Sequence, residues 1–184
     1  MNIRYIALLR GINVGGKNPI KMDALRTCLA DAGLQDVSTY IASGNVLFSS
    51  GLSPKKAEST VDSALENAFG YKGPTVVITE TDYKTIIKQA PRGFGTTPDT
   101  LHSDVVFLKS PYKASEVLND VIALKLRDGV DTVAAGTKAL YFTRVSAQRT
   151  KSRMNKITEL ASYKSMTIRS WTTAKKLESL LDAE

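Results

Sequence analysis

An α+β fold made of two similar βαββαβ halves is the architecture this sequence predicts, and three observations carry it. Short apolar runs alternate with stretches of helical spacing, in the same order twice along 184 residues. Glycine and proline stand where helices must start and stop. Several strands, Tyr5-Ile6-Ala7-Leu8-Leu9, Val76-Val77-Ile78 and Val105-Val106-Phe107-Leu108, are apolar at every position. A strand reads that way when both faces of its sheet are covered.

Ile3 to Leu9 is short and apolar without a helical period, so it is a predicted strand. Arg10 to Lys21 is a glycine-rich loop. Met22, Leu25, Leu29 and Ala32 recur at helical spacing, and Gly33 supplies the stop. Val37 to Ala42 and Asn45 to Ser49 read as two strands about a tight hairpin at Ser43-Gly44-Asn45. Ser53-Pro54 opens the next helix as cap and first position, with Ala57, Val61, Ala64, Leu65 and Ala68 facing inward and Gly70 closing it. Thr75 to Thr79 is a strand. The order βαββαβ is that of the ferredoxin-like split unit.

Thr79, with Asp82 three residues on, starts a connecting helix that ends before Pro91. Pro91 to Ser103, with Gly93, Gly95 and Pro98, is the expected boundary loop. The order then repeats. Asp104–Lys109 is a strand, Ala114–Leu124 a helix, Thr132–Ala135 and Lys138–Val145 a hairpin about Gly136. Thr150–Ser162 is a helix, Met166–Arg169 a strand, and Trp171–Leu181 a final helix. The expected organisation is a first ferredoxin-like unit with its connecting helix over residues 1–90, a linker over 91–103, and a second unit with a C-terminal helix over 104–184. The two units are expected to pack together, each covering an apolar sheet face of the other.

Composition bounds the function classes. Hydrophobic residues make up 42%, enough for a core and too many for a disordered chain. No apolar run approaches the roughly 20 residues of a membrane helix. The first residues lack the pattern of a signal peptide. The single cysteine, Cys28, excludes an internal disulfide and fits a reducing compartment, so a cytoplasmic location without membrane attachment is expected. The net charge of +7 favours phosphate-bearing partners, and from Arg144 onward nine Lys/Arg against four Asp/Glu supply +5 of it.

The loop Arg10-Gly11-Ile12-Asn13-Val14-Gly15-Gly16-Lys17-Asn18 is the first candidate site. Its glycines permit positive φ and close approach to a ligand, and successive backbone N–H groups in such a turn can hold an anion. Gly11, Gly16 and Lys17 also satisfy G-x-x-x-x-G-K. A P-loop next needs Ser or Thr for a metal ion, but Asn18 stands there and Pro19 follows. A plain strand-to-helix turn or another kind of ligand loop suits these residues better. The hairpin Ser43-Gly44-Asn45 is the second motif. In a βαββαβ unit the third strand runs antiparallel beside the first, so loop and hairpin are expected at the same end of the sheet. Arg10, Gly11, Asn13, Gly15, Gly16, Lys17, Ser43, Gly44 and Asn45 form the candidate ligand-binding set.

These two motifs resemble the domain-of-unknown-function 1697 family. Its pattern runs Tyr-x-Ala-Leu-Leu-Arg-Gly-Ile-Asn-Val-Gly-Gly, then Met-x-x-Leu-Arg, then Thr-Tyr-Ile-x-Ser-Gly-Asn-Val-x-Phe. The sequence matches at Tyr5, Ala7 to Gly16, Met22, Leu25, Arg26, Thr39 to Ile41, Ser43 to Val46 and Phe48. Near the C-terminus the family shows Arg-Asn-Trp-Asn-Thr-Val, where this chain has Arg169-Ser170-Trp171-Thr172-Thr173-Ala174. The resemblance implies a pair of ferredoxin-like units. It implies no activity, cofactor or catalytic residue, and Lys17 lies outside the family pattern.

Other features carry less. Arg149, Arg153 and Lys156 at i, i+4, i+7 would share one face of the Thr150–Ser162 helix and are candidate nucleic-acid contacts, though a solvated face explains them as well. Phe107 with Tyr141 or Phe142 could stack bases on the second sheet, but core packing is the better reading. Cys28, beside Leu25 and Leu29, reads as a small core residue. The one histidine, His102, falls in the expected linker, so a His-dependent triad or multi-His metal site cannot be built within one chain. Catalytic residues and cofactors are thus unassigned and no metal site is expected. The first-ranked function is a binding protein for a phosphate-bearing ligand, a nucleotide or nucleic acid. An enzyme acting on a small phosphorylated metabolite in a cleft between the halves comes second, and an interaction protein with purely structural glycines third.

Overall fold

The computed structural model of the chain describes residues 2–16 and 18–183. Contacts divide it into two compact units, Met1–Tyr83 with Leu181–Glu184, and Lys84–Leu180.

The first unit runs β1 (Ile3–Leu9), α1 (Met22–Asp31), β2 (Gln35–Tyr40), β3 (Asn45–Ser50), α2 (Pro54–Phe69) and β4 (Thr75–Thr79), and then enters α3 (Glu80–Lys88). Its sheet has the order β2-β3-β1-β4, with every neighbouring pair antiparallel. Alternation along β1 sends Tyr5, Ala7 and Leu9 toward a core shared with Leu25 and Leu29 of α1 and Val61 and Leu65 of α2. Ile6 and Leu8, on the opposite face, are also fully buried. Tyr5 stacks on Phe48 with ring centroids 5.2 Å apart. The helix signals act as their chemistry requires. Pro54 sits in the first turn of α2, and Gly70 ends the helix at φ +62°. Ser53 holds the cap position but makes no side-chain capping bond. At α3 the Thr79 hydroxyl does accept from the Asp82 N–H, at 3.1 Å.

The second unit runs β5 (Leu101–Leu108), α4 (Ala114–Ala123), β6 (Asp131–Ala135), β7 (Ala139–Val145), β8 (Met166–Ser170) and α5 (Trp171–Asp182), with sheet order β6-β7-β5-β8. Both sheets thus have ferredoxin-like strand order. Val106, Leu140, Phe142 and Met166 of the sheet pack with Val117 and Val121 of α4.

Three expectations change. β5 begins at Leu101, inside the stretch read as linker, because Leu101 and His102 pair with Val145 and Arg144. Ile41 and Ala42 belong to the turn rather than to β2, which ends at Tyr40. The expected helix over Thr150–Ser162 is three short 3₁₀ segments, Ser146–Lys151, Met154–Glu159 and Ala161–Ser165, broken by extended Ser152 and Leu160. The reason lies in hydrogen bonding. The Arg153 N–H donates to Asp131 Oδ2 at 2.8 Å instead of to a preceding turn, and the Ser152 hydroxyl takes the Met154 N–H at 3.2 Å. Such side-chain competitors favour short 3₁₀ pieces, and Met154 and Ile157, both buried, are spaced for one.

Candidate functional site

β1 delivers the glycine loop and β3 the hairpin to one end of the first sheet. Leu8 faces Asn45 in the register, and the Leu9 N–H donates to the Gly44 carbonyl at 2.8 Å. β4 brings a third segment: the Arg10 N–H donates to the Pro74 carbonyl at 3.1 Å and to the Tyr71 hydroxyl at 2.9 Å. The Tyr71 hydroxyl in turn lies 2.8 Å from the Arg10 carbonyl. Nothing local in the sequence marks Tyr71, because its partner is 61 positions away. Lys72 beside it pairs with Glu66 at 3.1 Å.

Asparagine side chains organise the loop. Asn13 Nδ2 donates to Ile20 O at 2.8 Å and Ala42 O at 2.9 Å, while Asn13 Oδ1 accepts from the Ile20 N–H at 2.8 Å. One carboxamide therefore fastens the loop to α1's approach and to the hairpin. Asn18 Nδ2 donates to Gly11 O at 2.9 Å, and the Asn13 N–H to Asn18 O at 3.2 Å. Asn13 and Asn18 hold φ of +53° and +47°, a region asparagine tolerates better than most residues. Asn45, fully buried, donates through Nδ2 to Tyr40 O and Ser43 Oγ, both at 3.0 Å. Asn13 and Asn45 thus commit their carboxamides to the loop and the turn. Gly11, Gly15 and Gly16, all at positive φ, remain exposed, and Arg10 is half-buried at the root of the loop. Lys17 lies outside the described residues. α1 starts only at Met22, so no helix N-terminus follows Gly16 as a P-loop requires.

Arg149, Arg153 and Lys156 share no helix face, since their segment is not one helix. Arg149 is exposed, whereas Arg153 donates through Nη1 to the Lys125 carbonyl at 2.8 Å. Phe107, Tyr141 and Phe142 are buried, and the Tyr141 hydroxyl donates to Ile86 O at 2.5 Å. Burial pushes that phenol up to about 12, so it stays protonated. Cys28 Sγ lies 3.4 Å from Ala64 O, and burial, with Asp31 adding to it, raises the thiol, which suits a packing residue rather than a nucleophile. Among the described residues, no three His, Cys, Asp or Glu gather to hold a metal, and no helix is long and apolar enough to cross a membrane.

The second unit holds a cluster the sequence analysis missed. His102 stands in β5, not in a linker, and its Nε2 lies 3.1 Å from Asp104 Oδ1, while Arg144 Nη2 lies 3.8 Å from Oδ2. The signal was the i, i+2 spacing of His102 and Asp104, meaningful only once that stretch is a strand. Burial raises the Asp104 carboxyl, and His102 and Arg144 offset that only in part. A carboxyl raised above its unfolded value binds its proton more tightly in the folded state. It therefore favours folding below pH 3.8, and that contribution is lost as pH rises through the folded value. Asp104→Asn, which keeps the neutral shape, should melt higher than the parent near pH 7, with the gap closing as pH falls through the folded value toward 3.8. A lower melting point for the variant at neutral pH would mean that the ion pairs outweigh desolvation.

A family model described as a protein of unknown function (DUF1697) matches residues 2–141. No curated protein matches. The chain is similar to a solved structure described as conserved bacterial protein SP0830 from Streptococcus pneumoniae, at 25% identity and a TM-score of 0.84, with 98% of this chain and 99% of that chain covered. A crystal structure of protein BT0572 from Bacteroides thetaiotaomicron covers 97% of this chain and 96% of that one, at 14% identity and a TM-score of 0.24.

Proposed function

The chain belongs to the DUF1697 family of proteins of unknown function, and from that premise we propose that it binds a phosphate-bearing ligand where the Arg10–Asn18 loop meets the Ser43–Gly44 turn. The observation behind this reading is the Asn13 carboxamide, which ties the loop to Ile20 and to Ala42. An exposed glycine-rich loop is ordinarily mobile. Here Asn13 and the Asn18–Gly11 bond tie down the two ends of the loop before any ligand arrives, which lowers the ordering cost of binding. Exposed backbone N–H groups at Gly15 and Gly16, with the Arg10 guanidinium at the loop's root, suit an oxyanion, because all of them donate hydrogen bonds. The net charge of +7 works in the same direction.

Thermal melts with and without inorganic phosphate or adenosine 5′-phosphate test the proposal. The parent protein should be stabilised by at least one of them. Arg10→Lys keeps the charge and loses the planar fork, and it should weaken binding about tenfold. Ser43→Ala should also weaken it; Arg10→Lys should shift stability by less than about 1 kcal/mol, and Ser43→Ala by about 1 kcal/mol, because it removes a bond from buried Asn45. Large destabilisation by these changes, with no response of the parent to any phosphate-bearing probe, would leave Arg10 and Ser43 as purely structural residues and end the proposal.

A further inference from the structure

Val14 is 62% exposed and Ile41 51% exposed, one in the glycine loop and the other in the hairpin turn. The Asn13–Ala42 hydrogen bond at 2.9 Å joins the residues next to them, so the two exposed aliphatic residues are chain neighbours of a single cross-link. Ile41 is disfavoured twice where it stands. Its φ is +49°, where a β-branched residue is an outlier, and half of it meets water. Asparagine or glycine would serve this turn better on both counts. A residue held against both backbone preference and solvent points to a role in binding rather than in folding.

We infer that the phosphate bound at this site belongs to a nucleoside phosphate, whose base lies flat on Val14 and Ile41. The inference rests on the phosphate-binding reading above and adds the part of the ligand beyond the phosphate. Val14 directly precedes Gly15, so this side chain and the exposed glycine are one residue, about 3.8 Å of backbone, apart. A single nucleotide spans both. The face of a base is apolar and its size suits two side chains, and apolar contact with that face does not depend on which base is bound. A membrane surface would need a longer amphipathic face than two residues provide.

Calorimetric titration of the full chain with adenosine 5′-phosphate, ribose 5-phosphate and inorganic phosphate tests this. Adenosine 5′-phosphate should bind at least about fivefold tighter than ribose 5-phosphate, the base accounting for the difference. The double variant Val14→Ser, Ile41→Ser should lose that preference and leave ribose 5-phosphate binding unchanged, while Ile41→Val keeps both. Both sites are exposed, so folding should survive, and melting of each variant checks it. Equal affinity of the parent for the two sugar phosphates, or a preference that persists in the double variant, overturns the inference and leaves the phosphate site standing. If no probe binds, the phosphate reading itself fails and this one with it. A 5′-phosphorylated single strand of about eight nucleotides separates the sources: tighter binding with a steep salt slope assigns the site to nucleic acid, and no gain over the mononucleotide assigns it to free nucleotides. Sedimentation with phosphatidylserine vesicles that the double variant abolishes, without nucleotide preference, overturns it in favour of a lipid surface.

Discussion

Gly44→Ala is expected to destabilise the protein by about 3 kcal/mol, the largest effect of any single change at the candidate site. Gly44 holds φ of +79°, and a Cβ there would sit 2.8 Å from the Leu9 Cβ and 3.1 Å from the Ile12 side chain. Left-handed backbone costs an alanine roughly 1–2 kcal/mol. Overpacking adds about 1–3 kcal/mol where neighbours cannot move. Leu9 cannot easily give, because it is fully buried and its N–H is committed to the Gly44 carbonyl. By contrast, a Cβ on Gly15 or Gly16 would meet nothing within 4 Å. There an alanine meets only the backbone penalty, so Gly44→Ala should melt well below Gly15→Ala in urea or by heat. Equal melting points would show that the hairpin shifts freely against β1, and would remove the rigid frame on which the site depends.

Asn45→Ala should cost about 2–3 kcal/mol, more than any polar substitution on the exposed loop. The side chain is fully buried and bridges Tyr40 O and Ser43 Oγ across the turn. Alanine cannot replace either bond, and the part-buried Tyr40 carbonyl would lose a donor. Urea unfolding measures the loss. The accompanying test is affinity: phosphate-bearing probes should bind the folded variant within about twofold of the parent, in contrast to Arg10→Lys. A variant that folds as well as the parent but fails to bind would mean that Asn45 meets the ligand directly.

The two asparagines show how far the sequence leads at this site. Glycine, asparagine and arginine after a strand mark a place where the backbone does something unusual, and the antiparallel β1–β3 pairing follows from element order alone. Loop and hairpin were therefore expected together, and they are together. What each polar side chain bonds to could not be read. Asn13 reaches Ala42, 29 positions away, and the Arg10 backbone meets Tyr71 across 61. A carboxamide that holds a turn and one that holds a ligand have the same chemistry, and only the position of the partner separates them. Asn18 makes the point again: it counted against a P-loop, and it proves to be a cross-link to Gly11.

Elements specified by local stereochemistry stand where the sequence placed them. β1 at Ile3–Leu9 carries the apolar run Tyr5–Leu9 and β4 at Thr75–Thr79 the run Val76–Ile78, and α2 is bounded by Pro54, pre-set for a first turn, and Gly70, free to turn left-handed. Each of these signals acts over a few residues and needs no distant partner. The start of β5 and the breakup of residues 146–165 depend on distant partners. Leu101 and His102 are strand because β7 offers them hydrogen bonds, and Arg153 leaves a helical path because Asp131, 22 positions earlier, takes its N–H. Polar segments such as these have several local conformations close in energy. A single buried carboxylate or a neighbouring strand edge is then enough to choose among them, and neither lies within the span that local sequence can sense.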